Sequence, residues 1–73
     1  MLTEKEAINL ARQAAEQQGW AWIEPAHATL RRAWRGAEGR WEVFSNALGR
    51  GARARIVIDA RTGEVLDKGY IPS

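Results

Sequence analysis

The sequence predicts an α+β fold, one N-terminal helix packed on a three- or four-stranded antiparallel sheet that runs as a meander. Three observations predict it. A helix-start signal opens an alanine-rich stretch of helical period. From residue 20 the apolar period falls to that of a strand. Short turns then separate the alternating stretches, so consecutive strands lie side by side.

The helix is expected over residues 4–18. Thr3 with Glu6 three positions on forms a capping box, each side chain satisfying the other's free backbone N–H. Leu2 and Ala7 occupy the staple positions around that cap. Ala7, Ile8, Leu10, Ala11, Ala14 and Ala15 recur at helical spacing, and so small a stripe allows close approach to a flat sheet. Gly19 suits the left-handed residue that ends a helix, which lets Trp20 fold back over Ala15.

The strands are read from period-two alternation. Trp20 to Ile23 is short and apolar, and Pro25 holds Glu24 extended. Residues 28–35 place Ala28, Leu30 and Trp34 on one face, interrupted by Arg32. Either Arg32 lies at a sheet edge with its head in water, or a bulge resets the register. Gly36-Ala37-Glu38-Gly39 is a turn. Residues 40–46 put Trp41, Val43 and Ser45 on one face and Glu42, Phe44 and Asn46 on the other. Asn46 to Arg53 reads as a flexible loop. In residues 54–59, Ala54, Ile56 and Ile58 alternate with Arg55, Val57 and Asp59. Asp59-Ala60-Arg61-Thr62-Gly63 is a hairpin turn in which Gly63 takes a positive φ. Val65 and Leu66 begin a short last strand, and Ile71-Pro72-Ser73 is a tail. The expected core is Ile8, Leu10, Ala11, Ala15, Leu30, Trp34, Trp41, Val43, Ile56, Ile58 and Val65.

Composition bounds the rest. Seventy-three residues form one domain, which buries only about 60% of the surface its unfolded chain exposes. There is no cysteine, so no disulfide or thiolate metal site reinforces the core. Four tryptophans stand in, each removing roughly 150–250 Å² from water when buried. No apolar run approaches the ~20 residues of a membrane span. Met1 leads straight into the helix signal without a basic and then apolar leader, so a cytoplasmic location is expected. Residues 1–24 carry a net charge of −2, and residues 25–61 set eight arginines against Glu38, Glu42 and Asp59 for a net of +5. That asymmetry reads in two ways, as attraction to an anionic partner or as two faces of one domain attracting each other.

Catalysis is excluded by elimination. His27 is the only histidine, and a lone histidine near a proline offers neither a metal pair nor an oriented general base. Glu38 and Glu42 approach one another at a hairpin, but so short a chain cannot wall the cleft that paired carboxylates need. No glycine-rich loop leads from a strand into a helix start, so phosphate is not cradled as in nucleotide-binding folds. No enzyme activity, cofactor, metal, membrane insertion or small-molecule substrate is therefore expected. Gly49-Arg50-Gly51-Ala52-Arg53-Ala54-Arg55 stands apart. Arg50 and Arg53 there are candidate anion ligands in a loop whose plainer role is to keep the chain soluble.

Since one helix covers one sheet face, the opposite face meets water or a partner. Alternation places Phe44 and Val57 there, inside a ring of Arg31, Arg35, Glu42 and Arg55. An apolar centre in a charged rim suits a protein partner or a homodimer. The alternative is a nucleic acid bound by the arginine-rich face, with Phe44 as a stacking platform.

The helix with Ala7 and Ala11, its terminal glycine, the Trp41-Glu42-Val43 strand and Val57-Ile58-Asp59 followed by Thr62-Gly63-Glu64-Val65-Leu66 resemble the PepSY-type domain, over roughly residues 3–67. The resemblance implies a small helix-plus-sheet unit of a kind often placed beside peptidases, which inhibits or binds rather than catalyses. Such domains commonly sit outside the cytoplasm in membrane-linked chains. Trp20-Ala21-Trp22 and the basic sheet are departures from that pattern.

Overall fold

The computed structural model describes residues 1–32 and 39–72. Helix α1 spans Glu4–Gln17, followed by strands β1 (His27–Arg31), β2 (Arg40–Phe44), β3 (Arg53–Asp59) and β4 (Val65–Ile71). The strands form one sheet in the order β1-β2-β3-β4, and every neighbouring pair is antiparallel. The α+β meander read from the sequence is the fold, with four strands.

Both helix ends follow their local chemistry. The Thr3 N–H donates to Glu6 Oε1 at 2.8 Å, and the Glu6 N–H donates to Thr3 Oγ1 at 3.1 Å, closing the capping box. At the other end Gly19 has φ +75°. The Trp20 N–H returns to the Ala15 carbonyl at 2.9 Å and the Gly19 N–H to that of Glu16 at 3.0 Å, a Schellman closure. Trp20 thus turns back toward the sheet and stacks on Tyr70, with ring centroids 5.3 Å apart.

The core lies between α1 and the first three strands. Ala7, Ala11 and Ala15 are buried, as are Ala28, Val43, Ile56 and Ile58 across the sheet. Ala28, Val43 and Ile56 stand opposite one another in a single cross-strand row. Ile8, Leu10, Trp20, Trp22 and Trp41 close the margins, half-buried. The Trp41 indole N–H donates to the Leu2 carbonyl at 3.0 Å, and the Leu2 N–H donates to the Ala60 carbonyl at 2.7 Å. The helix start is thereby tied to the β3–β4 turn.

The structure corrects the sequence reading at several points. Leu30 and Val65, expected in the core, are exposed (41% and 36%). The helix packs on β1, β2 and β3, which leaves β4 beyond its cover, and Leu30 sits near the end of an edge strand. The last strand begins at Val65 as expected but is not short. It runs on through Asp67-Lys68-Gly69-Tyr70 to Ile71, with a register shift opposite Val57 and Ile58. Strand β1 stops at Arg31, and exposed Arg32 lies just past it. Trp34, Arg35, Glu38 and most of the 36–39 turn lie outside the described residues, as does Ser73.

The stretch from Asn46 to Arg53 is a loop, but an anchored one. Asn46 is buried with φ +51°, and its side-chain N–H groups reach the carbonyls of Arg50 (2.8 Å) and Ala52 (3.0 Å). The backbone N–H groups of Asn46 and Ala47 donate to the carbonyls of Ile23 and Pro25, at 2.6 and 2.9 Å. These bonds fasten the loop to the segment that precedes β1; the Glu24–Pro25 peptide within it is cis.

Candidate functional site

The sheet face opposite α1 is where function has room. Two cross-strand rows define its centre, His27–Phe44–Arg55–Gly69 and Thr29–Glu42–Val57–Asp67. Phe44 and Val57 are therefore diagonal neighbours. They also differ in exposure, since Phe44 is half-buried and Val57 retains only 4% of its surface. A β-branched residue on an uncovered face is shielded only by its neighbours.

Those neighbours form an ion ladder across all four strands. Arg31 on β1 donates through Nε to Glu42 Oε1 on β2 at 3.1 Å. Arg55 on β3 donates through Nε to Glu42 Oε2 at 2.8 Å and through Nη1 to Asp67 Oδ2 on β4 at 3.0 Å. Glu42 keeps 14% of its side-chain surface, against 42% for Arg55. The Arg55 guanidinium above all holds the Glu42 carboxyl below the usual carboxylate range; burial opposes it, and Arg31 adds a further pull downward. Arg55 is shifted upward by Glu42 and then Asp67. Of the expected ring, Arg31, Glu42 and Arg55 are brought together around Val57, and Arg35 lies outside the described residues. Asp67 was missed because the short last strand begun by Val65 and Leu66 was read without assigning faces to the residues after them. The register shift between Val57 and Ile58 sets Asp67 opposite Val57 on the open face, where alternation carried on from Val65 would not have placed it.

At one end of this face lies a hollow of about 320 Å³ lined by His27, Phe44, Ala47, Leu48 and Arg53. Leu48 stands 87% exposed on the anchored loop. Arg53 spends one nitrogen, Nη2, on the Asn46 carbonyl at 3.3 Å, and among the described residues no carboxylate lies within ion-pair distance of it. Arg50 is exposed on the same loop. His27 Nε2 lies 3.2 Å from Thr29 Oγ1 on the same strand. Sequence reasoning gave Phe44 and Arg53 separately. It did not join them, because the link is the path of the loop and not strand alternation.

Among the described residues no three His, Asp or Glu side chains converge where a metal ion would sit. The fold and this surface define a small helix-on-sheet domain whose open sheet face and shallow hollow are left uncovered by its described elements. The chain matches the family model for PepSY, the peptidase propeptide and YPEB domain, over residues 1–68, and it belongs to that family. No curated protein and no solved structure matches it. PepSY is a family of propeptide and protein-binding modules, and the resemblance noted in the strand and hairpin motifs is thereby shown.

Proposed function

We propose that this domain is a non-catalytic binding module that takes a protein partner, or a second copy of itself, on the sheet face opposite the helix. The observation that carries the reading is the uncovered face itself, where Phe44 lies beside an ion ladder of both signs and no described element packs on top. Half-exposed aromatics amid arginines are enriched in protein interfaces. Membership of a propeptide family supports the same reading.

Sedimentation at ~100 μM, where a dimer of micromolar affinity is populated, tests the self-association arm. Capture of partners from the native cell tests the other. Phe44→Glu is expected to abolish whichever association the wild type shows, while Gln13→Glu on the exposed helix surface leaves it intact. Equal behaviour of the two variants would remove this face from consideration.

The nucleic-acid alternative receives less support from the geometry. Arg31 and Arg55 are engaged by Glu42 and Asp67, and Phe44 is the one aromatic in the two central rows. Modules that read single strands on a sheet stack two or three bases. Binding to a labelled single-stranded RNA at physiological salt should be no tighter than roughly 10⁻⁴–10⁻⁶ M, the non-specific range. A nanomolar, sequence-dependent affinity lost in Phe44→Ala would reverse the ranking.

A further inference from the structure

We propose that the hollow at the end of the open face receives the C-terminal residue of a protein partner, its apolar side chain against Phe44, Ala47 and Leu48 and its terminal carboxylate on Arg53. The inference rests on the sheet-face reading above and specifies which part of a partner is taken.

Size limits the occupant first. A hollow of about 320 Å³ is at the lower end of the range for small-molecule sites and suits a single amino-acid residue. Its walls are mostly apolar, and Leu48, 87% exposed, offers its side chain at the rim. The loop that carries Leu48 is also built. Buried Asn46 ties it internally to the carbonyls of Arg50 and Ala52, and bonds from Asn46 and Ala47 tie it to Ile23 and Pro25. A methyl group at Gly49 would run into the Asn46 carboxamide, so that turn is packed closely against its anchor. Leu48 is thereby held out beside Phe44.

Charge decides the second group. On the open face Arg31 and Arg55 are paired with Glu42 and Asp67, whereas Arg53, at the hollow, has among the described residues a backbone carbonyl as its partner and no carboxylate. A guanidinium with donors to spare is complementary to a carboxylate, which it binds through parallel N–H···O bonds. The occupant therefore joins an apolar side chain to a carboxylate inside the volume of one residue. A chain-terminal residue does so because both groups leave the same Cα. An internal Asp or Glu does not, because in an extended chain its apolar neighbour points to the opposite side.

The test uses the whole isotope-labelled chain and the peptide acetyl-Gly-Gly-Leu-Phe as free acid, as C-terminal amide, and as an amide with aspartate in place of leucine. The free acid is expected to shift the backbone amides of residues 44–53. Amidation, Arg53→Gln and Leu48→Ser should each weaken it by about tenfold, the scale of a lost charged hydrogen bond or apolar contact. Thermal melts check that the variants fold, and the acid–amide comparison on the wild type decides the matter without them. Equal binding of acid and amide, shifts confined to other residues, or no shift at millimolar peptide would overturn the proposal. The aspartyl amide matching the free acid would overturn it too, in favour of a side-chain carboxylate. If partner or self-association is lost in Phe44→Glu while the free acid binds nowhere, the sheet-face reading stands and the C-terminal receptor falls. If the free acid binds as expected but Phe44→Glu leaves association intact, the hollow stands and the wider face falls.

Discussion

Two residues hold their turns through backbone geometry that most side chains resist. Gly63 has φ +80°, and a Cβ added there would lie 3.3 Å from Leu10 Cδ1 and 3.7 Å from Leu2 Cδ1. The hairpin turn and the helix start meet at this point, so Gly63→Val meets both a left-handed backbone and a crowded neighbour. It should cost on the order of 1–2 kcal/mol and lower the melting temperature by about 4–16 °C for a domain of this size. An unchanged melt would refute the strain. Asn46 is the second. It holds φ +51° while buried, and its amide closes the loop onto two carbonyls. Asn46→Ala leaves both carbonyls without that donor and removes the residue type that best tolerates this conformation. About 2 kcal/mol of lost stability is expected, read as a lower midpoint in urea, with peptide binding at the hollow lost alongside. Gly63 was legible because D-x-x-T-G between two alternating stretches is a local signal. Asn46 was not, because its burial depends on the Ile23–Pro25 segment coming to lie beside it.

Among the elements, the helix was the most legible. Thr3, Glu6 and Gly19 lie within a turn of what they cap, and both closures form as local chemistry dictates. Thr3→Ala should therefore cost about 1 kcal/mol, and Thr3→Ser should restore most of it. A Thr3→Ala melt matching the wild type would mean that the helix start is held by the Leu2–Ala60 bond and Trp41 alone. Strands β2 and β3 were legible because they are central, with one face on the core, so alternation reports burial directly. Strand β4 was read too short for the converse reason. It lies outside the helix's cover, its residues through Lys68 are all exposed, and the register shift opposite Val57 breaks the alternation where Leu66 gives way to Asp67. An edge strand of this kind is specified by backbone pairing to β3, which leaves little trace in side-chain pattern.

For the whole molecule, the charge asymmetry seen in the sequence resolves into organisation within the sheet. The ion pairs Arg31–Glu42, Arg55–Glu42 and Arg55–Asp67 join strand to strand across the open face, and none of these three involves the helix. Three carboxyl groups in different parts of the fold are held below their ordinary range, each by a different contact. Glu6 accepts from the Thr3 backbone N–H at the helix cap. Asp59 accepts from the N–H groups of Thr62 and Arg61 in the hairpin turn. Glu42 is held by Arg55 and then Arg31. All three shifts have the same sign. A carboxyl group whose folded-state pKa is depressed contributes stability above its unfolded value, roughly 4, and that contribution is lost as pH falls through the lower folded value. The melting temperature should thus be nearly level from about pH 8 to 5 and fall steeply below about pH 4. Glu42→Gln separates the ladder from the cap and the turn. Because Glu42 is mostly shielded and receives two guanidinium groups, the variant should be less stable at neutral pH by about 1 kcal/mol. It should also lose less on acidification than the wild type, since one of the three titrating groups is gone. Thermal melts of both proteins between pH 3 and 8, a range chosen to bracket the ordinary carboxylate pKa of roughly 4, make the comparison. Curves that stay parallel down to the lowest pH would show that Glu42 is not stabilised by its arginines, and the ladder would then have to be read as a solvated surface pattern and not as the shield over Val57.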